Sequence, residues 1–392
     1  MNNVERHWTN HTIQGRSSWR DSKASADYIH TIDRSYPMYL QLFGLYDEHL
    51  NETILDYGCG PGNDLVGYSL YSRCKKIVGA DISSKAIAQA IDRLSLHNIQ
   101  VSKDISGSLP APPHHQSVSI LKIDEEKSEI DCEDDYFDFI QSTGVIHHTS
   151  DPEKVLGELY RVLKPGGRLN VMMYHRNSLW VKLVIPNDMY NLQSNISSPV
   201  VAVPGSRFNE LKSLNSEQIF ERLADNGAPV AFLSDKSDFT SLANSVGFTG
   251  GFDNAAFSLH DLRACLVLNS SIQHLPEDTL EFVNQLDYDH HDKIQIVISP
   301  GSRNNVNVAK NRLYYVQSDD LGDIHIANAT MDIDGSQVSL RGEDIQHKLI
   351  YTNSDNVTIS AERGGEVILT EVYPVIGDEY YPGINAIYKF IK

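Results

Sequence analysis

From Thr53 to about Tyr174, short β-rich apolar runs alternate with stretches whose apolar residues recur at helical spacing. "TILDYG" precedes "NDLVGYSLYSRC" and "KIVGAD" precedes "SSKAIAQAIDRLSLH"; after a Ser/Pro-rich loop, "VSILKID" and "YFDFIQST" lead into "DPEKVLGELYRVLK" and "GRLNVMMYH". In the last helical stretch Val155, Leu156, Leu159, Val162 and Leu163 fall on one stripe, with Glu153, Lys154, Glu158 and Arg161 off it. That is the pattern of a surface helix packed on a sheet. Asp151 is its expected N-cap, Pro152 suits its first turn, and "KPGG" ends it. Strands joined by helices of this length predict a mostly parallel sheet covered on both faces, an α/β, Rossmann-like, doubly wound fold.

The rhythm changes twice further on. From Arg176 the pattern loosens, with prolines at 186, 199 and 204, so residues 176–228 read as an insertion, equally a candidate substrate cap or a plain surface excursion. "DFTSLANSVGF" then resumes the helix-then-strand order. Beyond about His291, runs such as "KIQIVIS", "RLYYVQS" and "EVILTEVYPVI" are split by Gly, Asn and Asp, and Asp334-Gly335 is a hairpin turn, which predicts an all-β module over 291–392. The expected organisation is an N-terminal helical lid at 1–50, a main domain at 51–285 and this C-terminal module.

Composition narrows the partners. The chain has 392 residues, enough for two domains, and its formal charge of −19 repels a phosphate backbone, so nucleic acid is not expected. No stretch offers about 18 consecutive apolar residues, so no membrane partner is expected, and the four scattered cysteines suit a reducing, cytoplasmic setting. The histidine pair His114-His115 and the "DYDHHD" run from Asp287 lack the spacing of metal ligands, and no metal is expected.

The chemistry points to "ILDYGCGPGND". Gly58, Gly60 and Gly62 follow a strand ending in an acid, where a sharp turn into a helix must let a ligand approach bare backbone. A dinucleotide-binding turn would carry its third glycine or alanine at 63, which is Asn63 here, and this argues against a pyrophosphate clamp. Asp81 ends the next strand, placed to accept from both hydroxyls of a ribose; the competing N-cap role falls to Ser83. The expected ligand is nucleoside-like.

These stretches resemble the class I S-adenosylmethionine (SAM)-dependent methyltransferases, particularly the small-molecule branch. "ILDYGCGPGND" resembles the family's methionine-end glycine motif, "VGADIS" its ribose motif, and "FDFIQSTGVIHHTSDPEKVLGELYRVLKPGGRLNVMMYH" its fourth strand through fifth strand. The resemblance implies SAM as cofactor, with Asp56 near the methionine amino group, Gly58, Gly60 and Gly62 along the ligand, and Asp81 on the ribose. It further implies Ile82 against adenine and Asp124, with Glu125 as competitor, at the exocyclic amine.

Methyl transfer to O or N needs alignment and, for a hydroxyl, loss of a proton. His147 and His148, after the fourth strand, are the candidate bases, with a structural role as the alternative. Tyr174, His175, Arg176 and Trp19 are candidate acceptor contacts, with Arg176 read either as a clamp for a substrate carboxylate or phosphate or as a surface ion pair. In related enzymes the segment before the first strand often folds over SAM, so Trp8 and Trp19 read either as lid residues or, more simply, as packing against the sheet edge. The expected activity is methylation of a small-molecule acceptor, with the β module available for homodimer formation. Protein methylation guided by that module, SAM binding without catalysis, and a nicotinamide-dependent oxidoreductase are the alternatives.

Overall fold

A computed structural model describes residues 3–11, 19–35, 49–102, 117–124, 126–196, 202–256, 273–285 and 383–392, with eight further strands between 295 and 372. Two helices come first, α1 (Asn3–Asn10) and α2 (Ser22–Ser35). The α/β alternation then follows as β1 (Thr53–Tyr57), α3 (Asn63–Tyr71), β2 (Lys76–Asp81), α4 (Ser84–Leu96), β3 (Val101–Ser102), β4 (Ser117–Lys122), β5 (Phe137–Thr143), α5 (Pro152–Val162) and β6 (Leu163–Tyr174). All six strands pair in parallel, in the order β3-β4-β2-β1-β5-β6. Burial on both faces explains their continuous apolar character. Leu55, Val78 and Ile140 pack with Val155, Leu156 and Leu159 of α5, whose stripe and Asp151 cap are as expected, Asp151 accepting from the Lys154 N–H at 3.0 Å.

After β6 come α6 (Ile185–Gln193), α7 (Ser216–Gly227), α8 (Lys236–Val246) and β7 (Thr249–Ala256). Helices of the 176–228 insertion have their own apolar cluster, including Val181, Leu183, Leu211, Ile219 and Phe220, shared with Leu275 and Ile384.

The end of the chain differs from the expected boundary. Helix α9 (Glu277–Gln285) is followed by β8 (Gln295–Ile298), β9 (Arg303–Asn307), β10 (Arg312–Ser318), β11 (Asn328–Ile333), β12 (Ser336–Ser339), β13 (Leu349–Thr352), β14 (Asn356–Arg363) and β15 (Val367–Val372). These form two four-stranded antiparallel sheets. The last strand, β16 (Asn385–Ile391), belongs to the main sheet instead, antiparallel to both β6 and β7. Ala386, Ile387, Tyr388 and Phe390 are buried there, which explains a run apolar on both faces. The β-rich segment is therefore an insertion between β7 and β16. Ala256 pairs with Asn385, and Asn385 with Tyr174, so the insertion leaves and returns at the carboxyl edge of the parallel strands.

Candidate active site

Chain order reverses between β1 and β5, and open α/β sheets bind ligands at the carboxyl ends on either side of such a point. A cleft of about 170 Å³, open at its mouth, lies there. Its walls come from the β1–α3 turn, the end of β2, the stretch after β4, the β5–α5 loop, and Val4 and Trp8 of α1. Among the expected ligand contacts, Asp56, Gly58, Gly60, Asp81, Ile82 and His148 all reach it.

The glycine turn is held by the Gly58 and Cys59 N–H groups, both donating to Ala80 O, at 2.7 and 3.1 Å. Gly58 has φ +81°, and a Cβ there would lie 2.2 Å from Val145 Cγ2. Only glycine allows β1 and the β5–α5 loop to approach this closely. Around Gly60 nothing lies within 4 Å of such a Cβ, which leaves bare backbone facing open space. Gly62 is not in the cleft wall as expected: it takes φ +79° at the start of α3, its Cβ position 2.9 Å from Ala90 Cβ, and its role is to seat α3 against α4.

Asp81 accepts from the Gly60 N–H at 2.8 Å and the Ser83 N–H at 2.7 Å, while Ser83 itself caps α4. Burial raises its pKa, and those backbone donors oppose the rise. Asp64, one residue into α3, accepts from Gln141 Nε2 at 2.7 Å, and the Tyr68 hydroxyl donates to Gln141 Oε1. Asp56 is buried, and its pKa is raised well above the carboxylate range by burial, then by Asp64 and Asp81. Three acids thus crowd one wall with no cation among the described residues of the cleft.

Around His148 lies a second polar cluster. Its Nδ1 faces Val230 O at 2.7 Å and its Nε2 faces Asp225 Oδ2 at 2.9 Å, so both ring nitrogens are engaged within the fold rather than turned toward the cleft. The Tyr174 hydroxyl donates to the same carboxylate oxygen, and His7 of α1 contacts Asp225 O at 3.0 Å. Asp225 sits at φ +46° in a kink of α7, which turns its carboxylate toward this group.

Several expected contacts are corrected. His147 lies behind the cleft wall, fully buried, its ring 3.9 Å from that of Tyr174, and burial lowers its pKa well below the ordinary value. Tyr174 is taken up by Asp225, and neither it nor His175 lines the cleft. His175 is buried, which pushes its pKa down to about 4. Arg176 is held by Asp238 at 2.7 Å, Glu217 at 3.4 Å and Asp235 at 3.5 Å, the surface ion pair rather than an anion clamp. Trp19 stacks on the Arg93 guanidinium, 4.2 Å from its ring, away from the cleft. Asp124 is exposed, its Oδ1 accepting from the Glu126 N–H at 2.9 Å; Ile123 and Ser128 line that wall instead. Glu125, His114, His115 and the "DYDHHD" run lie outside the described residues. Sequence reading passed over Asp64, Thr143 and the Thr149–Asp151 loop, although "GND" places Asp64 beside the glycine turn.

Matched to known families, residues 55–171 fit a profile described as a methyltransferase domain. This is a class I methyltransferase domain. Its cofactor is SAM. The methyltransferase domain is 30% identical over 120 residues to an uncharacterized methyltransferase of Schizosaccharomyces pombe, covering 30% of this chain and 37% of that protein. A phosphoethanolamine N-methyltransferase of Caenorhabditis elegans is 26% identical over 188 residues, 42% of this chain and 36% of its own. The ubiquinone biosynthesis O-methyltransferase of Pseudomonas entomophila is 23% identical over 175 residues, covering 45% and 66%. The chain spans less than two-fifths of the length of the first two. Among the described residues no helix is long and apolar enough to cross a membrane.

The cleft residues fit SAM. Bare backbone at Gly60 leaves room for the ligand, and a molecule bearing a sulfonium and an ammonium relieves the repulsion among Asp56, Asp64 and Asp81.

Proposed function

We propose that this chain transfers the methyl group of SAM to an oxygen or nitrogen of a small-molecule acceptor, leaving S-adenosylhomocysteine. The observation that carries this reading is the acid wall, without a lysine or arginine among its described residues, beside an open glycine turn at the reversal point of the sheet. In this reading Asp56 faces the methionine amino group, Gly58 and Gly60 lie along the methionine, Asp81 accepts from the ribose hydroxyls, and Ile82 packs on adenine. Bound SAM supplies a methyl group on a positively charged sulfur, so that an acceptor lone pair takes the carbon while the C–S electron pair returns to sulfur.

The protein's share is placement. Val4 and Trp8 close the cleft from α1, and the loop from Thr143 to Asp151 forms the wall opposite α4. His148, both nitrogens engaged, shapes that wall, and the acceptor's proton leaves through the open mouth to water. The names of the nematode and bacterial relatives, an N- and an O-methyltransferase of small molecules, support this choice of acceptor.

A second reading is favoured by one observation: both ends of the β-rich insertion are rooted at the ligand edge, as a module gripping a protein acceptor needs. Incubation with methyl-deuterated SAM, separately with cell metabolites and with cell protein, tests both. Label on a small molecule, lost in Asp81→Ala, is the expected result. Label on protein alone favours the second reading, and label on neither, with SAM bound, contradicts transfer.

A further inference from the structure

Gln141 stands where a strand covered on both faces ordinarily carries an apolar side chain: it has no exposure and lies behind the cleft wall, within β5. An amide buried there costs free energy unless both its ends are bonded. Its Oε1 accepts from the Tyr68 hydroxyl, and its Nε2 donates to Asp64 Oδ2 at 2.7 Å and to Thr143 Oγ1 at 3.1 Å. Periodicity brings these groups together, since Asp64 and Tyr68 share a face of α3 and Gln141 and Thr143 share a face of β5. The amide is thereby oriented, because exchanging its ends would set Oε1 against a carboxylate.

Register supplies the second observation. Gln141 is paired with Asp56 across β5 and β1, so their side chains stand side by side, and the acid that Gln141 holds is brought to Asp56. Asp56 and Asp64 both line the cleft, and like charges so placed repel. Gln141 holds Asp64 against that repulsion with a neutral donor, which fixes the carboxylate without cancelling its charge. Asn63 Nδ2 adds a second amide, 3.2 Å from Asp64 Oδ1.

We infer that Asp64 joins Asp56 on the methionine ammonium of SAM, and that Gln141 is the positioning residue that keeps Asp64 there. This rests on the reading that sets the methionine end beside Asp56 and the glycine turn. An ammonium brings several donors and a full positive charge, which turns the repulsion between the two carboxylates into a shared attraction.

The test is calorimetric titration of the full chain with two ligands, S-adenosylhomocysteine and methylthioadenosine, a nucleoside thioether that lacks the amino-acid end. Wild type is expected to bind the first more tightly. Asp64→Asn should weaken S-adenosylhomocysteine about tenfold and Gln141→Leu about fivefold, while methylthioadenosine changes by less than about twofold in both. The double variant should bind S-adenosylhomocysteine as Asp64→Asn does, because Gln141 acts through Asp64. Tyr68→Phe, which releases the amide without removing it, should lose about threefold on the first ligand alone, and it decides the matter if Gln141→Leu does not fold. An equal loss of both ligands in Gln141→Leu or Tyr68→Phe, additive losses in the double variant, or unchanged affinities in Asp64→Asn would each overturn the inference and leave the placement of the methionine end intact. Equal affinity of wild type for the two ligands, or no binding of S-adenosylhomocysteine by the folded chain, overturns that placement and the inference with it.

Discussion

Two polar clusters share the carboxyl edge of the sheet and differ in one respect. The His148–Asp225–Tyr174 group is closed: donors meet acceptors within the fold, and the left-handed Asp225 is turned to complete it. The Asp56–Asp64–Asp81 group is open: three acids crowd together, and the charge that would balance them is not supplied by the described lining. Buried polar groups in native proteins are satisfied, so imbalance left in a cleft marks where a ligand completes the structure. The closed cluster holds the architecture around that place.

Substitution of Gly58 tests the open side most severely. Gly58→Ala puts a Cβ at φ +81° against Val145, a backbone strain of about 1–2 kcal/mol before any clash. S-adenosylhomocysteine affinity is expected to fall by more than about a hundredfold, or about 2.7 kcal/mol. Gly58→Ala combined with Val145→Ala regains part of it, since the clash but not the strain is removed. Equal affinity in wild type and Gly58→Ala, by calorimetry, would remove the turn from the ligand site.

For the closed side, Asp225→Asn leaves His148 and Tyr174 against a weaker acceptor. A stability loss of about 1–3 kcal/mol is expected in denaturant unfolding. The transfer rate per folded molecule should change by less than about threefold, or about 0.65 kcal/mol. A large loss of rate with unchanged stability would instead make this cluster catalytic.

The pH dependence tests the open cluster. Burial and neighbouring acids raise the Asp56 pKa in the folded chain, so the stability linked to its proton is full below the unfolded carboxylate pKa. It is lost as pH rises through the folded value. Ligand-free protein should therefore gain stability in Asp56→Asn at pH 7, by a few degrees of melting temperature for about 1 kcal/mol. The thermal shift from SAM should grow from acid to neutral pH in wild type and flatten in Asp56→Asn. A shift independent of pH in both proteins would separate Asp56 from the cationic ligand.

The smallest change is expected at Arg176. Its carboxylate partners lie at the surface, where such pairs are worth about 0–1 kcal/mol. Arg176→Ala should leave the acceptor KM unchanged, and a rise in KM specific to this variant would restore it as a substrate contact.

What could be read from the chain follows the same division. The Gly58–Gly60 turn, Asp81, Ser83 as cap, and the stripe of α5 are local: a residue type and its near neighbours decide them. Trp19, Tyr174, His175 and Arg176 depend on partners far along the chain, such as Arg93, Asp225 and Asp238, which no local pattern reveals. Strand β16 was hidden for another reason. A strand buried on both faces in the main sheet reads like one more apolar run after a β-rich insertion, and the break at Pro382-Gly383 was its one marker. Asp64 could have been found, as an acid in the first turn of the helix that the glycines open.

Calorimetric titration of S-adenosylhomocysteine into the full chain and into Asp81→Asn tests most directly whether the open acid cluster is the cofactor site. One-to-one binding to wild type is expected, weakened at least about tenfold in Asp81→Asn by the lost charge-assisted hydrogen bonds, with a cooperative melting transition in both proteins showing that each is folded. Equal binding by the two proteins, or none by the folded wild type, would contradict it.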